Sequence, residues 1–123
     1  MAQKILVVSR DASAVSLLRL GLGKDYEVSA VGFNEEGILE VISQRKPDLI
    51  ILEIVLPRGR EIIAGLRIRQ LSGVPMIMLS IEGGTVRMLN LEARDFLSEI
   101  LTAPALKERI QKAISLALQE KGP

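Results

Sequence analysis

Cysteine and histidine are absent from this chain of 123 residues, and each absence excludes a kind of chemistry. Without cysteine there is no disulfide, no thiol nucleophile and no thiolate metal site. Without histidine, the most common general base and the most common ligand of transition metals are missing. Catalytic Ser–His–Asp and Cys–His arrangements are therefore excluded, and we expect the chain not to be an enzyme.

The chain also has few aromatic side chains and almost no net charge. Only Tyr26, Phe33 and Phe96 are aromatic although 48% of the residues are hydrophobic, so the apolar content is aliphatic and suits a sheet buried on both faces. The 16 basic and 15 acidic residues leave a formal charge of +1, which disfavours a dedicated nucleic-acid-binding or membrane-surface protein.

Long hydrophobic runs are missing as well. The densest apolar stretch, residues 49–56, is interrupted by Glu53 and is far too short to cross a membrane. No hydrophobic signal segment precedes the first predicted strand. Together with the lack of cysteine, this leads us to expect a cytoplasmic location and no membrane contact.

Short aliphatic segments alternate with helical patterns along the chain. The segments typical of buried strands are Ile5–Val8, Tyr26–Val31, Asp48–Leu52, Val74–Leu79 and Ala93–Ser98. The helical patterns run from Asp11 or Ser13 to Leu22, from Asn34 to Lys46, from Glu61 to Leu71, from the pair Gly83-Gly84 to about Leu91, and from Thr102 to Ala117. This alternation predicts an α/β fold with a five-stranded, doubly wound parallel sheet between two helical layers. We expect residues 1–123 to form one domain with its core at about 3–119.

The order and spacing of several segments carry a family resemblance. They are Ile5–Val8, Pro47–Glu53, Leu56-Pro57, Val74–Ser80 and Asp95–Leu97. In this order they resemble the receiver domain of response regulators, a flavodoxin-like (CheY-like) three-layer αβα sandwich, over roughly residues 3–119. The resemblance implies a role in two-component signal transduction.

The chemistry of that family depends on a few residues at the carboxyl ends of the strands. Receiver domains accept a phosphoryl group on an aspartate at the end of the third strand, and an acidic pair after the first strand holds Mg²⁺. A serine or threonine ends the fourth strand and a lysine ends the fifth. The cation and the lysine neutralise the phosphoryl oxygens.

This chain departs from the family at most of those positions. Ser9 and Arg10 stand where the family has its acidic pair, Glu53 stands at the acceptor position, and Glu99 stands where the family has its lysine. Ser80 keeps the hydroxyl at the end of the fourth strand. A further position, that of the family's rotating aromatic residue, is occupied by Phe96.

The charges of Arg10 and Asp11 determine what this degenerate pocket can bind. A guanidinium near the Mg²⁺ position repels a metal and can pair with Glu53 instead, while Asp11 either lies beside it or caps the following helix. We therefore expect Mg²⁺ binding to be lost, no cofactor, and no Mg²⁺-dependent phosphorylation.

Three interpretations of Glu53 remain open. It can still accept a phosphoryl group. Its carboxylate, one methylene further out than that of aspartate, can imitate the phosphorylated residue by reaching Ser80. It can also simply pair with Arg10 or Arg58 at a strand end, with no switch left.

The preferred interpretation is a degenerate receiver, or pseudo-receiver, that acts by phosphorylation-independent protein–protein interaction. The alternatives are a response regulator phosphorylated at a non-standard site and a small anion-binding domain of flavodoxin-like fold. We expect a protein partner or a second copy to bind the surface of the fourth helix, fifth strand and fifth helix, where charges of both signs suit a two-fold contact. We expect no nucleic acid to bind this domain alone.

Overall fold

Six strands form one sheet in the computed structural model, which describes residues 3–55, 60–89 and 97–120. In chain order the strands are β1 (Gln3–Val8), β2 (Tyr26–Val31), β3 (Leu49–Glu53), β4 (Met76–Glu82), β5 (Thr85–Leu89) and β6 (Leu97–Leu101). The helices of the described ranges are α1 (Ala12–Leu22), α2 (Glu35–Arg45), α3 (Glu61–Ser72) and α4 (Ala103–Glu120). A 3₁₀ turn, Gly23–Asp25, links α1 to β2.

The middle of the sheet is made of the most aliphatic strands. The strand order is β2-β1-β3-β4-β5-β6, and β1 to β4 pair in parallel. All five residues of β3 are buried, as the continuous apolar run in the sequence predicts for a strand covered on both faces. The helices that connect parallel strands supply that cover.

Two separate clusters of buried side chains lie on the two faces of the sheet. Alternate residues of a strand point to opposite faces. Ile5 and Val7 accordingly join the cluster beneath α1 and α4, whereas Leu6 and Val8 join the cluster beneath α2 and α3. The predicted three-layer α/β architecture is thus confirmed. None of the helices in the described ranges combines the length and the apolarity that a membrane span requires.

The predicted fourth helix, from Gly83-Gly84 to about Leu91, is wrong over Thr85–Leu89, which form β5. Gly83 and Gly84 have φ values of 57° and 80°, and they join β4 to β5 in a two-residue hairpin turn with both central residues at positive φ. Two glycines between apolar segments are a hairpin signal, and they outweigh the short helical pattern that follows them.

The last strand also differs from the prediction. The predicted strand Ala93–Ser98 is observed as β6, shifted toward the C-terminus, and positions 90–96 lie outside the described residues. Because β5 is antiparallel to β4 and β6 is antiparallel to β5, β6 runs in the same direction as β4. Five strands are therefore parallel, as predicted, and the antiparallel β5 is inserted between the last two.

Gly65 of helix α3 lies directly against side chains of β3 and β4. A Cβ atom built there would collide with Leu52 Cδ2 and would lie 2.9 Å from Met78 Cε. In a helix, Ala is favoured over Gly by about 1 kcal/mol. We nevertheless expect Gly65→Ala to lower the free energy of unfolding by about 1–3 kcal/mol, because the side-chain ends that must move belong to the buried residues Leu52 and Met78 of a packed cluster.

Urea denaturation measures this effect, and Gly37→Ala in α2 is the matched control. The nearest atom to a Cβ at Gly37 is 3.7 Å away, on Asn34, so that variant should be neutral or stabilised by up to about 1 kcal/mol. Equal stability of both variants would contradict the close packing of α3.

Candidate functional site

The candidate site lies at the carboxyl ends of β1, β3 and β4, the edge at which open parallel sheets bind their ligands. Ser9 follows β1 directly, Glu53 is the last residue of β3, and Ser80 lies near the end of β4. The parallel register pairs Val8 with Leu52 and Glu53 with Leu79, which brings these strand ends to the same level. All three site residues are buried, each with an exposed fraction below 10%.

A short hydrogen bond joins Ser9 to Glu53. Ser9 Oγ donates to Glu53 Oε1 over 2.6 Å, and both side chains are buried. The same Oγ accepts the backbone N–H of Asp11 at 3.0 Å and lies 3.2 Å from its carbonyl oxygen. The backbone of Ser9 is also fixed, because its N–H donates to the Val31 carbonyl at 3.1 Å. The Glu53 carboxyl group is therefore engaged inside the protein by a neutral hydroxyl.

Arg10 does not pair with Glu53, so that expectation is wrong. Its guanidinium carbon lies 5.2 Å from the centroid of the Phe33 ring, a cation–π distance, and the residue is exposed. The chain bends at Arg10 after the end of β1, and Ser9 contacts Glu53 whereas Arg10 lies over Phe33. No pattern in the sequence marks Phe33 as the partner of Arg10.

Asp11 takes the second of its two predicted roles. Its side chain accepts the backbone N–H of Ser13 at 2.9 Å and so caps the N-terminus of α1. This carboxylate is exposed and belongs to the helix end.

Ser80 and Glu53 lie on neighbouring strands, but no hydrogen bond joins them within the described ranges. The interpretation of Glu53 as an imitation of a phosphorylated residue requires that contact. In this structure Glu53 instead contacts Ser9.

The inserted strand β5 separates Glu99 from the rest of the site. The register runs from Glu53 to Leu79, from Leu79 to Met88, and from Met88 to Glu99. Three strand spacings of about 4.8 Å put the backbone of Glu99 about 14 Å from that of Glu53, against about 10 Å if β6 lay beside β4. Phe96 and Arg58 lie outside the described residues.

A second buried carboxyl group is present at Glu61, which the sequence analysis treated only as a helix start. It begins α3, is 4% exposed, and its Oε2 atom has no hydrogen-bond partner in the described part of the chain. A glutamate in the first turn of a helix is ordinary, so no sequence signal marks it. No group of three or more acidic side chains that could hold a metal ion is found among the described residues.

Comparison with known proteins extends these observations. No model of a known protein family matches the chain. It is 32% identical over 115 residues to the DNA-binding response regulator MtrA of Mycobacterium tuberculosis, covering 90% of this chain and 50% of MtrA. It is 34% identical over 114 residues to the KDP operon transcriptional regulatory protein KdpE of Escherichia coli, covering 89% of this chain and 50% of KdpE. The chain thus spans about half the length of these curated relatives.

A solved structure shares the fold. The signal receiver domain of a modulated diguanylate cyclase from Desulfovibrio desulfuricans G20, described as an example of alternate folding, superposes with a TM-score of 0.70. The superposition covers 98% of this chain and 99% of that one. At 17% identity, the similarity shows a common fold and no more. With its doubly wound sheet, its strand-end site and its similarity to these regulators, the chain belongs to the receiver domains of two-component response regulators.

Proposed function

We propose that this protein is a degenerate receiver domain that acts by phosphorylation-independent protein–protein interaction. The observation that carries the proposal is the buried 2.6 Å hydrogen bond from Ser9 to Glu53. It engages one oxygen of the acceptor-position carboxyl group from within the chain, where the resemblance implies a metal ion and a phosphoryl group.

The donor set does not fit Mg²⁺, which requires near-octahedral oxygen ligands and is usually held by carboxylates. At the positions of the family's acidic pair, the hydroxyl of Ser9 is neutral and Arg10 is a cation. The nearby carboxylate of Asp11 caps α1. We propose that the domain has no Mg²⁺ site and needs no cofactor.

Phosphoryl transfer would also lack charge compensation. A phosphoryl group needs cations close to the oxygens on which charge develops. Glu99 replaces the lysine of the family, and its backbone lies one strand further from Glu53 than in a sheet without β5. The cation that the family's lysine supplies is therefore missing from this position, so we propose that the domain accepts no phosphoryl group and is not an enzyme.

The two alternative functions have weaker support. An anion-binding pocket would need a cation directed inward, but Arg10 lies over Phe33 and the inward group is the carboxyl group of Glu53. Phosphorylation at a non-standard site would need another acceptor with a metal beside it. The site geometry favours neither.

The partner surface follows from the same fold. The predicted surface of fourth helix, fifth strand and fifth helix corresponds here to β5, β6 and α4, since β5 replaces that helix. Ile100 on β6 and Leu118 on α4 are exposed by 60% and 66%, and α4 also exposes charges of both signs at Glu108 and Lys112. We propose that a protein partner docks on this surface, that no nucleic acid binds this domain alone, and that the domain works in the cytoplasm.

A titration followed by backbone-amide NMR tests the proposal. Addition of Mg²⁺, and then of Mg²⁺ with beryllofluoride, should leave the amides of Glu53, Ile54 and Ser80 unshifted, because the described residues form no carboxylate cluster that could hold the cation. The matched control is the variant Ser9→Asp/Arg10→Asp/Glu53→Asp, which restores the family's acidic residues and should show saturable shifts with Mg²⁺. Saturable shifts in the wild-type chain would overturn the proposal.

A further inference from the structure

A shallow groove, widely open to solvent, lies between the N-terminal halves of α2 and α3, outside the pocket of Ser9 and Glu53. Phe33, whose ring makes the cation–π contact with Arg10, is one of the residues that line this groove. Both helices pack on the same face of the sheet, so the two walls of the groove belong to one rigid layer. No step of the proposed function uses this groove.

The two walls carry opposite charges. The α2 wall presents Glu35 and Glu36, and the α3 wall presents Arg60 and Arg67. One pair is closed across the groove, because Arg67 Nε lies 3.6 Å from Glu35 Oε1. Glu36 and Arg60 are both exposed and make no hydrogen bond or ion pair within the described ranges. The groove therefore keeps one unused charge of each sign.

The α3 wall also exposes a large apolar side chain. Ile63 lines the groove with 67% of its surface exposed, and Leu66, nearly one helical turn further, is 42% exposed. A single exposed aliphatic residue is ordinary on a protein surface. Here, however, Ile63 lines the same groove as the two unused charges, so one patch combines an apolar side chain with charges of both signs.

We propose that a second copy of this chain occupies the groove in a two-fold contact. Ile63 of each copy enters the groove of the other, and Glu36 of each copy pairs with Arg60 of the other. In a two-fold contact a patch meets its own copy, so each acidic group must face a basic group of the same patch. The unused acidic group and the unused basic group of each copy therefore form two ion pairs in the dimer. A patch with charges of one sign would repel its own copy and favour a different partner.

Charge reversal tests the contact, with sedimentation over a concentration series as the readout. Wild-type chain should form a dimer, and Glu36→Arg or Arg60→Glu should each weaken dimerisation by about tenfold or more, since each puts two like-charged pairs into the contact. Mixing the two variants should restore the dimer, because Arg at 36 then faces Glu at 60 in one pair and the native residues form the other. Failure of the mixture to associate would overturn the proposal.

A second set of variants tests the apolar part. Ile63→Arg should make the chain monomeric, whereas Leu20→Arg, at an α1 residue that is 83% exposed, should leave the dimer intact. A wild-type chain that stays monomeric throughout the series, or a dimer lost only in the Leu20 variant, would overturn the proposal. These outcomes are independent of the Mg²⁺ titration, so failure here leaves the proposed function standing.

Discussion

Replacing both Gly83 and Gly84 by alanine is expected to lower the free energy of unfolding by about 2–4 kcal/mol, since the left-handed conformation costs an L-residue about 1–2 kcal/mol. Both glycines have positive φ, at 57° and 80°, in the turn between β4 and β5. This loss of stability affects the turn that leads into β5, the strand between β4 and β6. The variant should therefore lose protection from hydrogen exchange first in β5 and β6.

Urea denaturation and amide hydrogen exchange measure this result, and Gly32→Ala is the control. A Cβ at Gly32 meets no atom within 4 Å, and its φ lies outside the positive range, so its replacement should leave stability nearly unchanged. A double variant that kept full stability and gained helical circular dichroism would show that residues 85–89 form a helix in solution. The antiparallel strand would then be wrong.

Ser9→Ala is expected to lower the free energy of unfolding by about 1–3 kcal/mol, the usual penalty for leaving a buried polar group unsatisfied. The change removes the hydroxyl that donates to Glu53 Oε1 and also accepts the Asp11 N–H. Glu53 is 7% exposed, so water can replace the lost donor only in part.

The second substitution Glu53→Met separates this mechanism from a general effect of alanine at the strand end. Replacing both partners by apolar groups of similar shape is often nearly neutral. The variant Ser9→Ala/Glu53→Met should therefore regain most of the lost stability in urea denaturation, and the double-mutant cycle gives the coupling between the two positions. Simple addition of the two single effects would argue against a direct Ser9–Glu53 interaction.

Much of the fold follows from local patterns in the sequence. The aliphatic runs Ile5–Val8 and Leu49–Leu52 form the buried central strands, because only a strand covered on both faces needs apolar residues without alternation. The caps Asp11 and Asn34 begin α1 and α2 as predicted, each through a side-chain oxygen that accepts a backbone N–H. Such features are local, so a single sequence contains the information for them.

The hairpin of β4 and β5 shows where local patterns fail. Thr85–Leu89 has residues acceptable in a helix or a strand, and neighbouring strands decide between the two. Val86 and Met88 pack against the cluster beneath α1 and α4, while Leu89 is buried in the opposite cluster, which is strand alternation. Pairing on both edges, to β4 and to β6, outweighs the weak helical pattern.

At the candidate site, the amino-acid sequence specifies which chemical groups are present, and strand pairing specifies which of them come into contact. The sequence contains Ser9, Arg10, Glu53 and Ser80 at the strand ends, without histidine, cysteine or the acidic pair of the family. Parallel register brings Ser9 to Glu53, while Arg10, at the bend after β1, lies over Phe33. Residues 44 positions apart are joined only when strands pair, and hydrogen-bond distances depend on that pairing and not on sequence spacing.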